Sequence, residues 1–303
     1  MTLSIVTVRE RFLRLQDEIV STLSVLDGGT DFLGRDLGAP NGGLSRPRVL
    51  SNGKHIEKAA VQFTHSLGQS LPPAATERNP GLEGLPFQAT AISVIVHPRN
   101  PHVPTTHMNL RFFLIEAEEP VWYFGGGFDL TPYYPYREDV VHWHQNARSA
   151  CGSEERYRKL KTQCDDYFFL PHRGEWRGVG GLFFDDWTEE GFDSSYTFVS
   201  GIGDAFLLGY KPIFIRRMNT NWNDDEEHWM LLRRGRYAEF NLAIDRGTRY
   251  GMQSGRRIES VLASLPPRAV WMYDHQPEPG SREAELILEY LQPRDWLETL
   301  VKS

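Results

Sequence analysis

The chain has 303 residues and a mass of 34.8 kDa, with 40% hydrophobic and 24% charged residues. That leaves room for one large domain or two ordinary ones and argues against collagen-like, coiled-coil and wholly disordered architectures. Thirty-three Lys and Arg stand against 40 Asp and Glu, a net charge of −7, which disfavours a nucleic-acid binder relying on overall positive charge. Cys151 and Cys164 are the only cysteines, too few for a disulfide framework or a zinc knuckle, so a reducing compartment is expected. The first twenty residues lack a basic stretch followed by a clean apolar one, and no apolar run reaches the roughly 18 residues of a membrane span. The expectation is a cytoplasmic chain with no integral membrane segment. Aromatics make up 12% of the residues, which suits a large core or a site for a flat apolar ligand.

Val8, Phe12, Leu15, Ile19, Leu23 and Leu26 recur at steps of three and four and predict a helix that stops at Asp27-Gly28-Gly29. Residues 37 to 55 and 69 to 86 are dense in Gly, Pro, Asn and Ser and read as loops. In THMNLRFFLIEA, a period of two puts Met108, Leu110, Phe112 and Leu114 on one face, and His107, Asn109, Arg111 and Phe113 on the other. VWYFGGGFDL (121 to 130) reads as a strand running into a glycine turn. Residues 137 to 151 and 154 to 170 read as helices, 181 to 187 as a short strand, 195 to 218 as an apolar helix and 225 to 235 as a helix whose charges match its dipole. RYAEFNLAID (236 to 245) alternates and is expected to be a strand, AVWMYD (269 to 274) a last strand, and two helices follow a Pro-Gly turn. With no regular βαβ rhythm and no repeat, an α+β chain with an antiparallel sheet is expected, read as a single domain over 1 to 303.

Three groups of residues invite chemistry. His97, His107, His142, His144 and His172 could supply a divalent transition-metal site, although His142 and His144 point apart on a helix and only one of them can serve. The competing reading is of histidines solvated or satisfied in the core. In GGGFDLTPYYPYRED, Asp129 follows three glycines that permit close backbone approach, which would present it at the mouth of a cleft; an Asx-turn or helix cap is the alternative. Arg246, Arg249, Arg256 and Arg257 crowd twelve residues beside Asp245. Guanidinium groups grip carboxylates in pairs, so with Arg111 an acidic small molecule is favoured over nucleic acid, against a solvated basic loop or subunit contact.

VIVHPRNPHVPTTHMNLRFF, WYFGGGFDLTPYYPYREDVVHWHQNARSAC, HRGEWRGVGGLFFDDW and AEFNLAIDRGTRYGMQSGRRIESVLASLPP closely resemble the signature stretches of the oxygen-dependent coproporphyrinogen III oxidase family, of the bacterial type. The likeness runs from about residue 42 to near the C-terminus. Departures are mild: Ala60 stands where the family has glycine in FEKxG, and GRR where many members have GGR. The resemblance implies oxidative decarboxylation of two propionates of coproporphyrinogen III to vinyl groups, giving protoporphyrinogen IX with consumption of O2 and release of CO2 and hydrogen peroxide. It also implies a large antiparallel sheet flanked by helices on both faces and a homodimer.

By matching positions, His107 resembles the family's proton donor, and Ser93, Asn109, Leu110, Arg111, Gly255, Arg256 and Arg257 resemble substrate-binding positions. Asp245 and Arg246 match a pair that holds pyrrole nitrogen and carboxylate, with Asp129 a further catalytic candidate. His97, His107, His144 and His172 match histidines to which bacterial members attribute a divalent metal, often manganese. Flavin, nicotinamide and haem are not expected, because the electron-rich tetrapyrrole is its own reductant toward O2. Two other classes remain alongside: a tetrapyrrole carrier, which needs the arginines and aromatics but not the carboxylates, and a histidine-metal dioxygenase or hydrolase, which needs the metal stoichiometrically.

Overall fold

A computed structural model describes residues 3–70, 84–253 and 257–298. Helix α1 (Ile5–Leu26) starts at Ser4, whose hydroxyl accepts from Thr7 N, and ends at Asp27. The Asp27 carboxylate then accepts from the backbone N–H groups of Lys54, His55 and Ile56, which ties the helix to the start of β3.

Seven antiparallel strands follow in the order β1 (Leu37–Gly38), β2 (Leu44–Ser51), β3 (Ile56–Gly68), β4 (Phe87–Pro98), β5 (Thr105–Ile115), β6 (Val121–Thr131) and, after two helices and a small two-stranded hairpin, β9 (Gly180–Trp187). The intervening elements are α2 (Arg137–Cys151), α3 (Glu154–Tyr167), β7 (Phe169–Leu170) and β8 (Glu175–Trp176). Beyond the sheet come α4 (Gly191–Arg217), α5 (Asp224–Glu239), a π-helical turn Phe240–Ile244, α6 (Arg246–Gln253), α7 (Ile258–Val261), a 3-10 turn Leu262–Ser264, α8 (Arg282–Glu285) and a second π turn Leu286–Tyr290.

Because strand side chains alternate, the sheet has two unlike faces. One carries Ala59, Val61 and Phe63 of β3, Ile92, Val94 and Val96 of β4, Met108, Leu110 and Phe112 of β5, and Phe124, Phe128 and Leu130 of β6, all buried in one core with the stripe of α1 and the inner face of α4. Removing one such Leu, Val or Phe side chain from water stabilises the fold by roughly 1.5–3 kcal/mol. Gly203 lets α4 settle there, since a Cβ on it would lie 2.6 Å from Leu15 Cδ2. By length and hydropathy (1.3 over an 18-residue window) α4 could cross a membrane, but half of that window is buried inside the fold. Among the described residues the opposite face of the sheet is covered only in part, by α3 and the residue after it through Cys164 and Phe168, by the end of α5 and the π turn through Tyr237 and Phe240, and by Ala263. Ala60, the departure from the family's glycine, packs there with Ile95, Tyr237 and Ala263.

Several sequence expectations are corrected. RYAEFNLAID is helical: it prolongs α5 and closes with the π turn, burying Tyr237, Ala238, Phe240 and Asn241, a spacing that fits a helix against the sheet. AVWMYD forms no strand. Val270 N donates to Leu231 O, and Trp271, Met272 and Tyr273 are exposed. Residues 37 to 55 hold β1 and β2 as well as turns, with Pro47 accommodated near the sheet edge opposite Gln62. The three glycines lie inside β6, which continues to Thr131, and the helix from 154 stops at Tyr167. After the Pro-Gly turn one short helix and a π turn occur among the described residues, where two helices are expected.

Candidate active site

The uncovered part of the second face is lined along β5 by His107, Asn109, Arg111 and Phe113, the polar set visible in the sequence alternation. The strand register puts Ser93 of β4 opposite Asn109, and Gly127 and Asp129 of β6 opposite Asn109 and His107. The glycines of β6 keep this floor low. A Cβ on Gly125 would lie 2.7 Å from the Arg111 guanidinium, and Gly126 and Gly127 adopt φ of +149° and +143°, where a Cβ would strike the carbonyl oxygens of Asn109 and Leu182. Leu110, included with its neighbours among the substrate-binding positions, sends its side chain into the apolar core on the other face, as alternation requires; its side chain takes no part in the site.

At one end of this floor, Asp129 is only 2% exposed and its Oδ1 accepts from two donors: His107 Nδ1 at 3.0 Å and Arg177 Nη2 at 2.7 Å. Asp129 is thus buried in the floor, and not presented at the cleft mouth by a turn. Arg177 is equally buried. Its guanidinium lies over the rings of Phe168 (4.0 Å), Phe240 (4.6 Å) and Tyr237 (4.7 Å) and donates from Nη1 to Asn241 Oδ1 at 3.2 Å. Burial alone would raise the Asp129 carboxyl; the Arg177 charge and then His107 outweigh it, and its pKa falls below the ordinary value. Asp129 is therefore a fixed anion. It holds the His107 ring by Nδ1, so Nε2 is the ring nitrogen that this pair does not engage.

Along the floor Arg111 donates to Asn109 Oδ1 at 3.3 Å and to Asp185 Oδ1 at 2.7 Å. The wall comes from α3 and the start of α6. Tyr167 stacks on Phe183 at 4.3 Å and donates its hydroxyl to Asp245 Oδ1 at 2.8 Å; burial, then Asp245, push the phenol up to about 12. Asp245 Oδ2 accepts from Thr248 N at 2.6 Å, so this residue caps α6 and does not end a strand. Arg246 lies over Tyr167 and donates to Asp185 Oδ2 at 3.0 Å. Arg257 is solvent-facing, paired with Glu259 at 3.0 Å; Gly255 and Arg256 lie outside the described residues.

The four family-matched histidines do not gather. His97 is fully buried, its Nε2 donating to Ser264 O at 2.9 Å and its Nδ1 3.2 Å from Thr105 Oγ1; burial, then the charge of Arg234, drive its pKa well below the ordinary value. His144 is buried on α2, with Nε2 donating to Val179 O and Nδ1 accepting from Tyr157 OH, both at 2.9 Å; burial, then the charge of Lys161, lower its pKa to about 3. In both rings the lone-pair nitrogen already accepts a hydroxyl proton. His172 is half-exposed on Glu239 at 2.8 Å. Among the described residues no group of three or more His, Cys, Asp or Glu could hold a metal ion. The four do not fit one ligand set.

Sequence reasoning passed over Arg177, Tyr167, Asp185 and Asn241. Arg177 is one arginine in a glycine-rich connector, and its neighbours arrive from four elements; only the density of aromatics hinted at its cage.

A family model described as Coproporphyrinogen III oxidase matches residues 7–296. The chain belongs to the coproporphyrinogen III oxidase family. It is an oxidoreductase that carries out oxidative decarboxylation of coproporphyrinogen III in haem biosynthesis. Its architecture agrees with the expected α+β antiparallel sheet. The polar face of β5, with carboxylates, arginines and aromatic walls, is the surface whose chemistry matches a tetrapyrrole bearing four propionates and four N–H donors.

Proposed function

We propose that coproporphyrinogen III is turned over on the uncovered sheet face, with His107 and Asp129 handling protons and Arg111 and Arg246 holding propionate carboxylates. The observation that carries this reading is the buried Asp129 holding His107 at 3.0 Å on the same strand face as Arg111. For each propionic acid group the balance is R–CH2–CH2–COOH + O2 → R–CH=CH2 + CO2 + H2O2: the carbon–carboxyl bond breaks, a C–H is lost, and two electrons pass to O2. The tetrapyrrole supplies those electrons, so the chain's own residues have to bind, orient and move protons. His107 Nε2 delivers a proton to the reduced oxygen, and Asp129 stabilises the imidazolium before delivery. Asn109 and Ser93, opposite each other on the floor, offer short polar groups to the macrocycle. Tyr167 and Asp245 line the wall, where Asp245 can accept a pyrrole N–H with a lone pair that its cap leaves over.

A homodimer in the cytoplasm is part of the same reading. Support for the compartment comes from two buried free thiols, Cys151 and Cys164. The test is conversion of coproporphyrinogen III with and without air. Protoporphyrinogen IX formed with air and absent without it supports the reading; equal conversion under both conditions, or none under either, overturns it.

A further inference from the structure

The two arginines assigned to substrate propionates already hold a carboxylate of the chain's own. Asp185, near the end of β9, receives Arg111 Nη2 on Oδ1 at 2.7 Å and Arg246 Nη2 on Oδ2 at 3.0 Å. One guanidinium comes from the floor on β5 and the other from the first turn of α6, so this one carboxylate ties floor to wall. A bridging carboxylate with one oxygen on each of two guanidiniums is also the geometry in which a propionate would be gripped. We propose that Asp185 is a resident stand-in for a substrate propionate: an incoming carboxylate replaces it on Arg111 and Arg246, and Asp185 returns to them once that propionate has left as CO2. This rests on the reading of Arg111 and Arg246 as the propionate site.

The charges make the exchange necessary. Arg111, Arg177 and Arg246 face Asp129, Asp185 and Asp245 in the cleft. Asp129 and Arg177 are buried against each other and Asp245 caps a helix, so neither of these anions can leave without cost. Asp185 and Arg111 are each about a quarter exposed and Arg246 about half, so water and a ligand can reach the Asp185 bridge, whereas the Asp129–Arg177 pair is closed off. Swapping one carboxylate for another leaves the charge of the cleft unchanged, so binding does not strand an arginine or bury an unpaired anion. Decarboxylation does the reverse: the propionate becomes a neutral vinyl group, and two guanidiniums lose their partner in a partly desolvated cleft. Return of Asp185 restores the balance and clears the site for the next propionate.

The experiment is a fluorescence titration with coproporphyrin III, which keeps all four carboxylates but is already oxidised and cannot turn over, on the full chain and on Asp185→Asn, Asp185→Ser, Asp185→Glu and Arg111→Ala. Removing the competing charge should tighten coproporphyrin III by about tenfold in both Asp185→Asn and Asp185→Ser, and succinate should inhibit turnover at correspondingly lower concentration, whereas Asp185→Glu should bind like the unaltered chain. Arg111→Ala should lose binding. If the neutral Asp185 variants bind unchanged or more weakly while Arg111→Ala still loses binding, Asp185 merely positions the arginines and the exchange is wrong. If Arg111→Ala binds normally, the propionate site itself is misplaced.

Discussion

Replacing Arg177 with methionine should cost the folded protein about 3 to 5 kcal/mol at neutral pH, the range for stranding one partner of a buried ion pair. The side chain is lined by Phe168, Tyr237 and Phe240, which methionine would still touch, so most of the loss must come from Asp129, left 2% exposed without its guanidinium. The chemistry sets a ceiling on that part. An isolated carboxyl can escape by taking a proton, and lifting it from an ordinary pKa near 3.9 to a working pH of 7 costs about 4 kcal/mol at 1.36 kcal/mol per pKa unit. Asp129→Asn removes the charge in advance, so in that background Arg177→Met should cost much less, with a coupling energy of at least about 2 kcal/mol. The assay is urea unfolding of the four proteins of this cycle at pH 7. Additivity within about 0.5 kcal/mol would refute the argument, because it would mean that Arg177 is held by its aromatic contacts alone and does not fix the charge of Asp129.

Other outcomes follow from the same geometry. Arg111→Ala should raise KM on the order of 30-fold or more, corresponding to about 2 kcal/mol, with a smaller change in kcat, read from steady-state kinetics. Gly125→Ala should fold normally but bind substrate more weakly, since its Cβ would displace only the Arg111 guanidinium, the far end of a long side chain, and no backbone. Gly127→Ala, whose Cβ would lie 1.9 Å from Leu182 O at φ +143°, should instead lower the unfolding midpoint sharply. Because His144 titrates near 3 in the fold and near 6.5 when unfolded, the unfolded chain takes up this proton first on acidification. Its contribution is therefore complete above pH 6.5 and is lost between pH 6.5 and 3, by up to about 1.4 kcal/mol per pH unit. Unfolding midpoints of His144→Gln measured against pH should show a shallower slope in that window.

The elements whose one physical signal was undiluted were legible from sequence. α1 shows an apolar stripe along its full length, and β5 alternates so cleanly that its polar face, His107, Asn109 and Arg111, is the floor of the candidate site. Where two signals overlapped, the reading failed. Residues 236 to 245 look alternating because a π turn interrupts the helical spacing after Glu239, and β2 was hidden by the turn residues around it. The glycines of β6 were rightly tied to close approach, but the approach is by Arg111 and neighbouring backbone within a strand. Arg177 was invisible for a different reason: its value lies in Asp129, Asn241 and three rings brought together from elements far apart in the chain, and no local pattern encodes that convergence. The histidines err in the opposite sense. They recur at suggestive positions, yet Thr105, Ser264, Val179 and Tyr157 satisfy two of them in separate parts of the core.

The central claim is that the His107–Asp129 pair moves protons for the decarboxylation, and it is tested most directly by Asp129→Asn, which keeps the shape and removes the charge. Formation of protoporphyrinogen IX in air and binding of coproporphyrin III should be measured on the same preparation. Turnover should fall by about 10² to 10⁴, the scale of general acid–base contributions, while binding changes by less than about tenfold. Turnover near that of the unaltered chain would contradict the account and move the proton-handling group away from the buried end of β6.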